Sequence, residues 1–513
     1  MTIELPRAKS VLANPSQEEL RGLVASMPNA VKTEFGNFNV TTKVTARSAG
    51  STFVVSDDGG HLSKPTMPRS EYEPHVARQE AYIADRDMVL VEGYIGPENS
   101  PLKRPARVFM EASNANIPAM QQQLYYPKDA EWREEEALTV IYTPHLDAPG
   151  YPDDRLVTID LDRWVTRVFG IDYFGESKMG GLRMWMEWAF QQGSLAMHAG
   201  AKVIPTDQGD KVALIIGLSG TGKTTTTFTR QNGSLPVQDD IVAITEGGQC
   251  HATENGCFAK TFGLDPDDEP TIHGALTSPI SWLENVAVDE QGRVDFFDDS
   301  YTANGRGTFS LAEIEHFDPR KLGRGDFLLI LNANENIAPA VAKMPSVAHA
   351  VAYFMLGETK GTSAGGAAEA GKSLRVPGTN PFFMGHEYLQ GERLGELLPT
   401  MEGFEVFVLN TGRVGGDENT EGSKKVKIPH TSAVVKAIAE NAVSWEEDPD
   451  FGYLVASEVP DFDDPELLAP RKLYERQGRR EEYETSVNRL KAERIAFLEG
   501  HRGLAPEVID AVR

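Results

Sequence analysis

The feature that most constrains this chain is an apolar strand running straight into a glycine loop and a helix start. Lys211-Val212-Ala213-Leu214-Ile215-Ile216 is followed by Gly217-Leu218-Ser219-Gly220-Thr221-Gly222-Lys223-Thr224-Thr225. Every fixed position of G-x-x-x-x-G-K-[ST] is filled, and strand, loop, helix and next strand (ending near Gln238) follow in the order a phosphate loop needs. Phosphate requires many convergent N–H donors where a Cβ would clash, which the glycines permit, and the helix N-terminus adds partial positive charge. Lys223 then serves the β and γ oxygens, while the Thr224 hydroxyl can ligate the bridging metal. The pattern therefore predicts an ATP-binding α/β domain that transfers a phosphoryl group.

Sixteen residues beyond Lys223, at the end of the next strand, stand Asp239 and Asp240. Paired carboxylates at a strand end are commonly a solvated turn; beside a phosphate loop they become candidates for holding a divalent cation. Further strands are expected at 326–331 and 405–410, extending the sheet around the nucleotide. Residues 1 to about 200 alternate short strands (88–94, 106–110, 137–142) with Pro- and Gly-marked turns, which reads as an α+β domain preceding a P-loop domain over 201–513. The Met-, Trp- and Phe-rich run 179–197 predicts a buried helix ending just before His198. Residues near 357–371, dense in Gly, Ala and Ser, read as a mobile lid or a plain surface loop. The Arg-, Lys- and Glu-rich stretch 471–494 suggests an exposed amphipathic helix without chemistry.

Charge narrows the partners. With 50 Lys+Arg against 76 Asp+Glu the formal net charge is -26, which repels nucleic-acid backbone and anionic membrane surface. Only Cys250 and Cys257 occur, so no disulfide framework holds 513 residues together, and a reducing cytoplasmic setting is expected. The N-terminus lacks an apolar signal core and no run of about 18 apolar residues appears, so neither export nor membrane spanning is expected. Cys250, His251 and Cys257 could suggest zinc, but the triad lacks a fourth ligand. The expected partner is a small-molecule substrate, the expected assembly a monomer or small homo-oligomer.

From Arg47 to Thr431 the chain resembles ATP-dependent phosphoenolpyruvate carboxykinases. Gly217 to Thr224 is identical to that family's GLSGTGKT, and Asp239-Asp240 matches its second nucleotide motif. Tyr173-Phe174-Gly175-Glu176-Ser177-Lys178-Met179-Gly180 resembles its tyrosine segment, which ends in two lysines and a glycine. The resemblance implies that His198 and Asp240 hold a catalytic Mn²⁺, that Tyr173 and Lys178 face the substrate, and that Arg47 grips its carboxylate. It further implies that Arg306 contacts substrate and γ-phosphate, that Lys260, in Gly256-Cys257-Phe258-Ala259-Lys260-Thr261, faces the phosphates, and that Glu269, Lys425, Val426, Ile428 and Thr431 line the nucleotide. Cofactors implied are ATP, Mg²⁺ and Mn²⁺, and the activity implied is gluconeogenic conversion of oxaloacetate and ATP to phosphoenolpyruvate, CO₂ and ADP.

Two positions depart from the family pattern. Met179 stands where the family has its metal-binding second lysine, and a thioether is a poor ligand for a hard cation; either Lys178 moves in, or water completes the sphere, or the chemistry differs. Lys425 stands where arginine is usual, keeping the charge but losing planar stacking on the base. The departures leave a second reading, a kinase of the same fold acting on another hydroxyl acceptor without decarboxylation. A third is a nucleotide sensor with little turnover, against which the joint presence of Arg47, His198, Asp240 and Arg306 argues.

Overall fold

The computed structural model describes residues 3–218, 220–333, 337–360 and 373–513. The chain forms two compact units. The first comprises Met1–Gln191, Thr253–Glu315 and Phe382–His386, the second Gln192–Ala252, His316–Pro381 and Glu387–Arg513. The chain thus passes between them more often than one boundary near residue 200 anticipates. Mixed sheets and helices make the class α/β, as the sequence predicts.

In the first unit a nine-stranded mixed sheet contains the expected strands, observed at Asp87–Ile95, Arg104–Glu111 and Leu138–Thr143. The helix Phe174–Gln191 packs across this sheet, and all but three of its residues are buried. A helix buried on every side belongs in an interior, where its charged Glu176, Lys178, Arg183 and Glu187 need partners, and this one carries the tyrosine segment at its N-terminal end. A second, five-stranded sheet orders Gly256–Lys260, Arg306–Ser310, Trp282–Glu284, Phe38–Val40 and Ala30–Lys32.

In the second unit a ten-stranded sheet has Lys211–Ile216 near its centre, antiparallel to Leu195–Ile204 and parallel to Phe327–Asn332, which is parallel to Glu405–Asn410. Val212, Leu214 and Ile216 face one apolar cluster while Ala213 and Ile215 face another. Burial on both faces is why the strand reads as an unbroken apolar run rather than an alternation. The three parallel strands end together, so the loop after Ile216 opens at their C-terminal edge, where α/β sheets hold ligands.

Three expectations need correction or restriction. The helix predicted over 179–197 ends at Gln191; Gly193, at φ 85°, turns the chain, and Leu195–Met197 already belong to the strand that includes His198. The stretch 471–494 falls in two helices, Pro470–Arg476 and Arg480–Glu499, and it is not simply exposed: Leu473, Tyr474, Tyr483, Val487 and Arg494 are buried. Arg494 donates to both carboxylate oxygens of buried Glu358, at 3.0 and 2.7 Å. Of the segment read as a lid, residues 361–371 lie outside the described residues. Among those described, no helix is long and apolar enough to cross a membrane.

Candidate active site

The second unit gathers the phosphate loop, the two aspartates and the histidine. Gly220 and Gly222 both adopt φ +85°, a left-handed conformation that turns the loop into the helix Lys223–Phe228. Leu218 O accepts from Thr221 Oγ1 at 2.7 Å. Thr411 Oγ1 donates to Thr221 O at 2.8 Å, and Val426 N–H donates to Gly412 O at 2.9 Å. The loop, the Asn410-Thr411-Gly412 turn and the 425–431 segment are therefore joined by hydrogen bonds. Val426 is buried, Lys425 and Ile428 are exposed, and Thr431 lies in the first turns of the helix Ile428–Ala439. Ser219 lies outside the described residues; Thr224 and Thr225 are half-buried in the first turn of the P-loop helix.

Sheet register places the histidine. His198 pairs with Ile241 across antiparallel strands, which sets its ring beside Asp240. The Nδ1 atom is 3.0 Å from Thr379 O; a carbonyl only accepts, so Nδ1 bears the proton and a neutral ring presents a lone pair at Nε2. That Nε2 lies 3.1 Å from Asp240 Oδ1, and Lys223 Nζ lies 3.8 Å from the same oxygen. Burial first, and then the Lys223 charge, hold His198 below the ordinary imidazole value of 6.5. A neutral ring and a carboxylate thus face each other as two acceptors, an arrangement that calls for a shared cation. Octahedral ligands at about 2.1 Å from Mg²⁺ or a similar ion sit roughly 3 Å apart along an edge, so the observed separation and the N/O donor pair fit Mn²⁺ or Mg²⁺. Asp239 is buried beside this pair in the sequence. Among the described residues no three His, Cys, Asp or Glu side chains form a metal cluster, so His198 and Asp240 stand as a pair.

The first unit holds the cationic side chains. Lys260 and Arg306 are cross-strand partners, and burial, then the Arg306 charge, lowers the Lys260 ammonium below its ordinary value. Arg306 donates from Nη2 to Asn304 Oδ1 at 2.8 Å and lies with Cζ 5.4 Å from the Phe258 ring centroid. Asn304 Nδ2 in turn donates to Thr45 O at 2.6 Å and approaches Tyr173 Oη at 3.4 Å. Arg47 is solvent-accessible, its Cζ 4.4 Å from the Phe382 ring centroid. Glu269 sits at the N-terminus of the short helix Pro270–Leu276.

Three carboxylates that the sequence reading left without a role organise these groups. Glu176, fully buried, accepts from Ser48 N–H at 2.7 Å and from Arg183 Nη1 at 3.0 Å, so it ties the Arg47 turn to the tyrosine helix. Glu284 accepts from Phe174 N–H at 2.9 Å and so satisfies the first donor of that helix. Its enclosure pushes the carboxyl up to about 8. Glu254 pairs with Lys178 at 2.9 Å, both buried. Lys178 is therefore held by a carboxylate of its own unit, and Met179 beside it is 3% exposed. Glu176 lies inside the quoted tyrosine segment, but only the tertiary contacts reveal what it holds.

The family model described as phosphoenolpyruvate carboxykinase matches residues 9–465. A protein of Thermus thermophilus named phosphoenolpyruvate carboxykinase (ATP) is 29% identical, with 92% of this chain and 90% of the relative covered. One of the same name from Bacillus subtilis is 28% identical, covering 91% and 90%, and one from Aeropyrum pernix is 32% identical, covering 61% and 63%. A match running through the phosphate loop, the histidine strand and both arginine segments places the chain in the phosphoenolpyruvate carboxykinase family.

Proposed function

We propose that this protein is an ATP-dependent phosphoenolpyruvate carboxykinase, converting oxaloacetate and ATP to phosphoenolpyruvate, CO₂ and ADP in the gluconeogenic direction. The observation that carries the reading is the neutral His198 Nε2 facing Asp240 3.1 Å away, with Lys223 of the phosphate loop against the same carboxylate. Decarboxylation leaves an enolate and phosphoryl transfer leaves charge on the moving group, so two centres of negative charge need stabilisation. His198 and Asp240 would hold Mn²⁺, and Thr224 would hold Mg²⁺; when bound, these ions supply Lewis-acid stabilisation of developing oxyanions.

The chain's own groups do the rest. The phosphate loop from Gly217 to Thr225 binds the triphosphate, Lys223 neutralises its β and γ oxygens, and the 425–431 segment bounds the base. Arg47 grips the retained carboxylate, for which a planar guanidinium fork is suited. Tyr173 and Lys178 orient the substrate, while Arg306 and Lys260 balance charge as the phosphoryl group moves. Cytoplasmic location follows from this metabolic role as part of the same proposal.

Met179 supports a second reading, a kinase of this fold that phosphorylates another hydroxyl acceptor. The family's second lysine is replaced by a buried thioether, and Lys178 is engaged by Glu254. One experiment separates the two. Purified protein is supplied with ATP, Mg²⁺ and Mn²⁺, with oxaloacetate in one arm and a panel of hydroxyl compounds in the other, while nucleotide and products are followed. Phosphoenolpyruvate formation that requires oxaloacetate is the expected result. Phosphorylation of another acceptor with no phosphoenolpyruvate would overturn the carboxykinase assignment in favour of the kinase.

A further inference from the structure

The strand Leu195–Ile204 does more than present His198. Side chains two residues apart on a strand share a face, so His198, Gly200 and Lys202 form one row. At Gly200 the P-loop helix lies directly against this strand: a Cβ there would lie 2.1 Å from Thr227 Oγ1. Lys202 occupies the next place in the row, 2% exposed. Its Nζ donates to Thr226 O at 2.9 Å and to Thr229 O at 2.7 Å.

Those carbonyls belong to the end of the helix Lys223–Phe228, where backbone acceptors have no partner within the helix. A six-residue helix is too short to hold itself together, since nucleation consumes most of what its few hydrogen bonds return. An ammonium at its C-terminal end satisfies the orphan acceptors and opposes the negative end of the helix dipole. No carboxylate balances Lys202 among the described residues; its two contacts are both backbone carbonyls. Burial drops this ammonium to about 7, so the position costs stability and solubility gives no reason for a lysine there.

We infer that Lys202 is a positioning residue that clamps the C-terminal end of the P-loop helix to the His198 strand and thereby fixes where Lys223 and Thr224 are presented to the nucleotide. The clamp lies on the far end of the helix from the phosphates, so it touches neither nucleotide nor metal. It makes one strand the common reference for His198 and for the P-loop. The inference rests on the P-loop reading given above.

The test compares full-length wild type with Lys202→Met and Lys202→Gln, measuring MgATP affinity by calorimetry and thermal unfolding on the same preparations. Methionine keeps the aliphatic stem and removes both donors; glutamine restores N–H donors without charge. MgATP binding about tenfold weaker in the folded Lys202→Met protein, beyond what any loss of folded fraction accounts for, with partial recovery in Lys202→Gln, is expected. A merely structural lysine would move the melting temperature and leave affinity in the folded fraction alone, and that result overturns the inference. Should Lys202→Met fail to fold, the comparison is read on Lys202→Gln: wild-type affinity there overturns the inference, weakened affinity with normal melting supports it. Wild-type protein that binds no MgATP would overturn the P-loop reading itself, and the inference with it.

Discussion

Asp240 is the residue at which the phosphate loop and the histidine strand of the second unit meet, since one carboxylate oxygen faces both His198 and Lys223. Asp240→Asn keeps the shape and removes the charge. Turnover should fall at least about a hundredfold, because an amide is a weak ligand for a hard cation, while MgATP affinity stays within about threefold since the phosphate loop is intact. Steady-state rates and calorimetric binding check this; loss of binding with unchanged turnover in the bound fraction would contradict the role. Glu284 gives a pH prediction. Its folded value of about 8 lies above the ordinary 4.5, so the native state holds this proton more tightly than the unfolded chain does. The associated stability is complete below pH 4.5 and is lost as pH rises from there through 8. Glu284→Gln keeps an acceptor for Phe174 N–H without titrating. It should melt like wild type at pH 5 and above it at pH 9, by an amount on the order of a few kcal/mol. Parallel melting curves across that range would show that the buried carboxyl is not held protonated.

The contact between the P-loop helix and the His198 strand depends on a missing side chain. Gly200→Ala places a methyl 2.1 Å from Thr227 Oγ1, a group already donating to Lys223 O at 2.8 Å. The helix must move, and MgATP affinity should drop about tenfold or more. Thr227→Ala in the same chain removes the colliding atoms and should recover part of the loss, whereas an uncorrected double variant would mean the contact is not what seats the helix. The strand before the phosphate loop was legible in the sequence because burial on both faces leaves an unbroken apolar run, and the parallel strands Phe327–Asn332 and Glu405–Asn410 were legible for the same reason. The end of the tyrosine helix is marked in the sequence by the polar break Gln191-Gln192-Gly193-Ser194, but apolar residues resume at Leu195–Met197, and periodicity over so few residues does not separate a continuing buried helix from a buried strand. Charge misled the reading of the last helices: Arg494 sits in a charged stretch yet is buried by its pairing with Glu358. Motifs singled out His198, Lys223 and Asp240, and the fold brings the three side chains together. Glu176, Glu254 and Lys202 act through partners about 20 to 130 positions away, and nothing local in the sequence marks such pairings.

At the scale of the whole molecule the dominant quantity is the charge of -26. Many acidic groups do have close cationic partners, as in Arg69 with Asp160 and Lys424 with Asp464, but 76 acidic residues exceed 50 basic ones and the surplus repels itself in the compact state. Salt acts on the two populations in opposite directions: it weakens exposed ion pairs, each contributing about 0–1 kcal/mol at most, and it screens the longer-range repulsion once the Debye length falls below about 10 Å. With so large an excess the repulsion should win. The midpoint of the first unfolding transition is therefore expected to rise by several degrees between low salt and about 0.5 M NaCl, measured at pH 7 by calorimetry. Phosphate and sulfate salts are unsuitable for the comparison, since they strengthen burial generally and anions of that shape would compete for the phosphate loop. A midpoint that falls with NaCl would show that the surface ion pairs outweigh the net charge, and the acidic surplus would then have to be sought in local clusters, such as Asp265 to Glu269 and Glu446 to Asp450, rather than in the field of the whole protein.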